Sequence, residues 1–186
     1  MAKSATLYRF QLDLSDIDRS VYENLDLRVA CHPSEDCERL VVRVLARVIA
    51  YEEGLDFGRG LSNPEDPALL TRSAHGDIET WIDVGCPGAE RLHRASKAAS
   101  QVRIVTHKPV HVLRKEWSSR VVHRADSIEV VRLPPEFVRD LASELKRNIH
   151  WYITIQEETI SIVDGDRDFS ATFKRDTLAS IAAGHP

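Results

Sequence analysis

From Ile78 to Val84 apolar and polar side chains alternate, with Ile78, Thr80, Ile82 and Val84 on one side and Glu79, Trp81 and Asp83 on the other. A period of two over seven residues is the signature of a strand. The opening ATLYRFQLDL (5–14) alternates more loosely, and VYENLDLRVAC (21–31) follows it across the polar turn SDIDRS. Two such runs joined by a turn predict an N-terminal hairpin. The period then changes. Val41, Val44, Leu45 and Val48 recur at helical spacing, which predicts a helix over 35–52 with Ser34 as N-cap and Gly54 as its stop. Arg39, Arg43 and Arg47 form a separate row, expected on a solvated face tied to Glu35. Glu38 continues the apolar stripe toward the helix start, so its carboxylate needs a basic partner or a function.

Further along, LDFGRGLS (55–62) is a candidate strand, and residues 69–74 are a second, short one. Gly85-Cys86-Pro87 interrupts the strand at 78–85, and Pro87 suits the first turn of a helix over 88–100. VRIVTHK (102–108) reads as the next strand, so the order strand, helix, strand predicts a βαβ unit with parallel strands. A short helix over 110–117, a strand over 127–133 and a helix over 134–148 follow. HWYITIQ and TISIVDG close the chain as a hairpin, and the tail from Arg175 is expected to add little. The fold class is α/β: a mixed sheet with flanking helices and an N-terminal β-hairpin.

A chain of 186 residues that is 42% hydrophobic supports one domain over 1–186 with a substantial core. The N-terminus lacks the apolar run of a signal peptide, and no stretch is long enough to span a membrane, so a cytoplasmic location is expected. Cys31, Cys37 and Cys86 are an odd set that argues against a disulfide framework. No Cys-x-x-Cys pair accompanies His32, so small buried thiols are expected here, ahead of zinc ligands.

Charge sharpens the picture. The net charge is −4, yet residues 91–124 hold nine Lys and Arg against the single acid Glu116, a net +8 that leaves −12 on the remainder. A basic block of this kind favours an anionic partner unless acids from elsewhere in the fold pair with it. Ligands of open α/β sheets sit beyond the carboxyl ends of parallel strands. Asp83 lies at such an end, ahead of a helix N-terminus that carries Arg91 and Arg94 on its first turns. A carboxylate that holds a divalent cation beside phosphate donors is the arrangement of metal-assisted phosphodiester hydrolysis. Glu79 cannot share that metal, because four residues of strand span about 13 Å. Asp83 therefore needs a second ligand from Glu38 or from the acids Glu65 and Asp66.

RVACHPSEDCERL, FGRGLSNPEDPAL, DIETWIDVGCP with its basic helix, and HWYITIQ together resemble the YaeQ family nearly end to end. The resemblance implies a restriction-endonuclease-like core, a variant of the PD-(D/E)xK nuclease fold. Within that motif Asp83-Val84-Gly85 stands at the (D/E)-x-K element with Gly85 in the lysine place, and Pro67 is followed by Ala68 and preceded by Asp66. The expectation is a non-catalytic binding protein for nucleic acid or a protein partner. The alternative is a Mg- or Mn-dependent nuclease or phosphodiesterase. Its catalytic residues would be Asp83, Glu38, Arg91 and Arg94, its phosphate contacts Arg91, Arg94 and Lys97, and its metal ligands Asp83, Glu38 and Asp66. Arginine would stabilise charge there without serving as a base, because it stays protonated.

Overall fold

A computed structural model describes residues 5–59 and 65–184. Strands β1 (Thr6–Asp16) and β2 (Val21–Cys31) form the expected hairpin. Helix α1 (Cys37–Ile49) follows, then β3 (Asp56–Phe57), β4 (Leu69–Arg72) and β5 (Ile78–Val84). Helix α2 (Ala89–Ala98) leads into β6 (Gln101–Thr106), α3 (Val110–Trp117) and β7 (Glu129–Arg132). The chain ends with α4 (Pro135–Ser143), β8 (Asn148–Gln156), β9 (Thr159–Asp164), β10 (Arg167–Thr172), β11 (Lys174–Thr177) and α5 (Leu178–Ala183). Among the described residues no helix is long and apolar enough to cross a membrane.

The strands build two mixed sheets where the sequence pattern suggests one. The first has the order β10-β9-β8-β1-β2, and the second β11-β7-β6-β5-β4-β3. In the first, β1 lies parallel to β8, which pairs Phe10 with Ile149 and Leu12 with Trp151. In the second, β5, β6 and β7 are parallel, as the βαβ reading requires. Helices α1 and α4 pack between the sheets. Leu40, Val44 and Leu45 of α1 and Phe137 and Val138 of α4 share one core with Phe10 and Trp151 of the first sheet and with Ile82 and Val105 of the second. Helices α2, α3 and α5 cover the other face of the second sheet, where Leu92, Leu113, Trp117 and Ile181 pack on Trp81, Ile104 and Val130. The later part of β5 divides as its alternation predicts, with Ile82 and Val84 facing α1 and Trp81 facing α2; Ile78, expected on the Ile82 side, packs with Trp81 instead, where the pairing with β4 shifts register.

Several boundaries move for local reasons. Asp36, not Ser34, caps α1, accepting the Arg39 N–H at 2.7 Å. Ser34 is occupied in the preceding turn, 2.7 Å from His32 Nδ1. The helix stops at Ala50, before Gly54. Helix α4 ends at Ser143, because the chain must be extended by Asn148 to pair with β1. The candidate strand 55–62 shrinks to two residues, and 60–64 lie outside the described residues. Arg43 is not on a solvated face. It is 5% exposed, and its guanidinium meets Glu35 at 2.7 Å on both arms while donating to the Ala30 carbonyl. Of the three thiols only Cys31 is buried; Cys37 is exposed and Cys86 intermediate.

The tail carries real structure. Strand β11 adds an antiparallel edge to β7, pairing Asp176 with Val130, and Asp176 accepts from Arg132 at 2.6 Å. Thr177 then caps α5 by accepting from Ser180 N, and the helix places Leu178 and Ile181 in the second core.

Candidate site at the carboxyl ends of the parallel strands

Asp83 follows Ile82 on β5, so its side chain leaves the α1 face and turns toward α2. There it is 4% exposed. Arg91, in the first turns of α2, donates Nε to Asp83 Oδ2 and Nη2 to Asp83 Oδ1, each at 2.7 Å. Nη2 also reaches the Asp66 carbonyl at 2.7 Å, and the guanidinium lies over the Trp81 ring, 5.2 Å from its centroid. Fork-to-fork geometry inside a partly buried layer is the strongest form of this pair. Hydrogen bonding to Asp83 pushes the Arg91 guanidinium up, against the opposing effect of burial. The carboxylate expected to hold a cation therefore holds an arginine.

Glu38 lies on α1, on the opposite face of the second sheet. Its Oε2 sits 3.1 Å from Nε2 of His107, the residue that follows β6. This is an ion-pair distance without hydrogen-bond alignment, and neither ring nitrogen of His107 finds a hydrogen-bond partner among the described residues. The ring is 6% exposed, while Glu38 is 38% exposed. Burial and then the Lys108 charge push the His107 imidazole down, and Glu38 and Asp36 oppose them.

Arg39 reaches from α1 toward the strand ends. It donates Nη1 to the Val84 carbonyl at 3.1 Å, and its Nε lies 3.7 Å from Glu35 Oε1. Burial pushes its guanidinium down, while the charges of Glu35, Asp83 and Asp36 act the other way. Gly85 adopts φ +84°, a left-handed conformation that favours glycine. The chain makes a tight turn at this position, and a side chain there would point at Arg39 Nη1.

The other candidates are placed as follows. Asp66 forms an ion pair with Arg59 at 2.6 Å, and Arg94 with Glu65 at 2.7 Å. Lys97 is exposed near the end of α2. Asp83 and Asp66 are brought together through Arg91, by side chain in one case and backbone in the other. Glu38 stands apart with His107. Among the described residues no three His, Cys, Asp or Glu side chains gather as a cation site. Part of the basic block is answered by acids from elsewhere: besides Arg91 and Arg94, Arg103 pairs with Glu129 at 3.1 Å. Arg124 instead caps α2, donating to the carbonyls of Ser96 and Ala99.

His107 and Arg39 went unnoticed as site residues. His107 could have been found from its place, directly after a parallel strand at the end where ligands of such sheets sit. Arg39 had no such signal, because its row with Arg43 and Arg47 resembles an exposed helix face.

The family model described as YaeQ protein matches residues 1–173. The Escherichia coli K12 protein named "Uncharacterized protein YaeQ" is 30% identical over 166 residues, covering 88% of this chain and 91% of that protein. The Salmonella typhi protein of the same name is likewise 30% identical, with the same coverage. The crystal structure of the YaeQ protein from Xanthomonas axonopodis pv. citri superposes with a TM-score of 0.86 at 30% identity, covering 92% of this chain and 98% of that one. The Pseudomonas syringae YaeQ structure gives 0.83 at 32% identity, covering 92% and 95%.

Proposed function

The chain belongs to the YaeQ family, and on that premise we propose that it is a non-catalytic binding protein on a degenerate PD-(D/E)xK nuclease-like core, with nucleic acid as its partner. The observation that carries this reading is the Asp83–Arg91 fork. A carboxylate whose two oxygens each accept a 2.7 Å guanidinium bond at 4% exposure is already charge-neutralised and shielded, so a cation would have to displace Arg91. Gly85 in its left-handed turn supports the same reading, since the motif's lysine has no place there. Binding falls to the outer layer of α2, α3 and the 118–124 segment, where Lys97, Lys115, Arg120, His111 and His123 are exposed. Nucleic acid suits such a surface because its phosphates reward scattered cations without demanding a pocket. A cytoplasmic location accords with that partner.

Two measurements test the reading. Fluorescence anisotropy with labelled single-stranded and duplex oligonucleotides, repeated across a salt series, should give a Kd that weakens steeply as salt rises. Calorimetric titration of Mn²⁺ into the protein should show no saturable heat, and the oligonucleotides should stay uncut. Micromolar Mn²⁺ binding with cleavage that Glu38→Gln abolishes would restore the nuclease reading. Absence of oligonucleotide binding even at low salt would turn the search to a protein partner.

A further inference from the structure

We propose that the trough between α4 and β10 docks an extended, basic polypeptide segment, which adds to the first sheet as a further strand. The proposal goes beyond the nucleic-acid reading and uses a different surface, so neither depends on the other.

Strand β10 is the last strand of the first sheet. It pairs with β9 along one side, and its other side has no backbone partner among the described residues. The register with β9 runs through Arg167–Thr172 without a bulge, and the strand contains neither proline nor lysine. Bulges, prolines and lysines are the usual means of blunting an edge, and an edge without them is a template for another chain. The other edges offer less. Strand β3 has two residues and β11 four, and on β2 Arg43 already takes the Ala30 carbonyl at 2.8 Å. Beside β10 there is also room. Two hollows of about 450 and 420 Å³ lie along β10 and α4 and share Asp140, Asp168 and Phe169. A strand of this length reaches about 20 Å, which seats a peptide of similar length.

The trough has an apolar floor and an acidic rim. Phe137 of α4 is 4% exposed, and Phe169 and Ala171 of β10 pack half-buried against the same core. Glu136 and Asp140 stand one helical turn apart on α4, and Asp168 stands on β10. All three are exposed, and their carboxylates have no hydrogen bond or ion pair among the described residues. Arg167, the cation of the lining, is occupied. Its Nη2 donates to Asp164 at 2.8 Å, its Nη1 meets Glu144, and its guanidinium lies 5.8 Å from the Phe169 ring centroid. The charge left over is negative, so the trough repels phosphate and attracts cations. Lys and Arg fit both of its parts, because their stems cover apolar surface while their heads reach the rim. A strand shows alternate side chains to one face, so a segment with Lys or Arg at every second position sets them against Glu136 and Asp140. In this mode main-chain bonds supply affinity and the alternate side chains supply specificity. A second copy of β10 is the poorer occupant, since it brings Asp168 and the same acids against themselves.

The test uses the full chain and a labelled eight-residue peptide of alternating Lys and Val, followed by anisotropy. Two control peptides separate charge from strand pairing. A Glu–Val peptide reverses the charge, and a Lys–Val peptide methylated at every backbone nitrogen keeps the charge but loses its donors. Wild type should bind the Lys–Val peptide at least about tenfold more tightly than the methylated one, and the Glu–Val peptide not at all. The double variant Glu136→Gln/Asp140→Asn, changed at two exposed positions, should melt like wild type and raise the Kd of the Lys–Val peptide about fivefold. Equal affinity in the double variant would remove the peptide from this trough. Equal affinity for the methylated peptide would rule out strand addition. Light scattering that finds a dimer, dispersed by the peptide, would make a second copy the occupant and overturn the proposal. If wild type binds no Lys–Val peptide, the docking site is overturned while the nucleic-acid reading stands.

Discussion

The Asp83 carboxylate and the Arg91 guanidinium meet fork to fork, strand to helix, eight residues apart, with 2.7 Å on each arm. This pair ties α2 to the end of β5 and, through the Asp66 carbonyl, anchors the loop before β4. Its energetics follow from burial. Side chains 5% and 22% exposed have surrendered much of their hydration, and each relies on the other to replace it. Arg91→Leu leaves a buried unpaired carboxylate and should destabilise the fold by about 3–5 kcal/mol. The double variant Asp83→Leu/Arg91→Leu should cost clearly less than the two single losses added together. Urea unfolding of the four proteins in a double-mutant cycle measures the coupling. A cycle that closes with no coupling would mean that the pair does not hold the site.

His107 should make stability fall on mild acidification. Its folded-state imidazole is pushed below the ordinary value by burial and Lys108, against Glu38 and Asp36. The unfolded chain, with its histidine near pKa 6.5, therefore takes up a proton before the folded chain does. Stability from the neutral ring is fully present above about pH 6.5 and is lost as pH falls from there toward the depressed folded value, by at most about 1.4 kcal/mol per pH unit. Thermal unfolding between pH 7.5 and 5.0 should show this slope in wild type and a shallower one in His107→Gln. Equal slopes would remove His107 from the account.

Gly85 turns the chain between β5 and α2 in a conformation that suits glycine. At φ +84° any residue with a Cβ is strained by roughly 1–2 kcal/mol. Gly85→Lys, which on the proposed reading restores the lysine of a nuclease-type motif, should lower unfolding stability by that amount and create no metal-dependent cleavage of oligonucleotides. Unimpaired stability in that variant would mean that the turn relaxes readily, and cleavage would mean that the core lacks only its lysine.

Local signals carried the elements well and their assembly poorly. The alternation at 78–84 marks β5, the sides of its residues 81–84 and the parallel step to β6, because period and spacing are properties of adjacent residues. The parallel pairing of β1 with β8 joins Arg9 to Asn148, and no local pattern reports a partner so distant in sequence. For the same reason one sheet was expected and two are present. The place of Asp83 at a strand end is legible in the sequence; its burial against Arg91 is not. A carboxylate beside arginines reads alike whether it holds a cation or closes a salt bridge. Only the turn of α2 that aims Arg91 back at β5 separates the two.

The thiols should report the layers in order of access. Cys37 is exposed at the start of α1, Cys86 is partly covered after β5, and Cys31 is 8% exposed within the core between the sheets. Burial pushes the Cys31 thiol up, with Glu35 acting the same way, and burial followed by Glu116 does so for Cys86. Thiolate is the reactive form, so both should lag behind Cys37. Timed labelling with an aromatic disulfide reagent, read by peptide mass spectrometry, should find Cys37 modified first, Cys86 later and Cys31 only on unfolding.

The final test concerns the C-terminal tail. Residues 174–183 supply the edge strand on β7 and two side chains, Leu178 and Ile181, that are 1% and 2% exposed in the core under α3. Truncation after Phe173 removes the Asp176–Arg132 pair, uncovers β7 and strips that apolar cover from Leu113 and Trp117. Burying a leucine or isoleucine contributes about 1.5–3 kcal/mol each, so the loss rivals the whole stability of an ordinary domain once the strand pairing is added. The truncated chain should be insoluble or should unfold at a much lower temperature. The milder Ile181→Ala should cost about 2–5 kcal/mol and raise tryptophan accessibility to acrylamide through Trp117. A truncated protein that melts like wild type would show that the second core closes without α5.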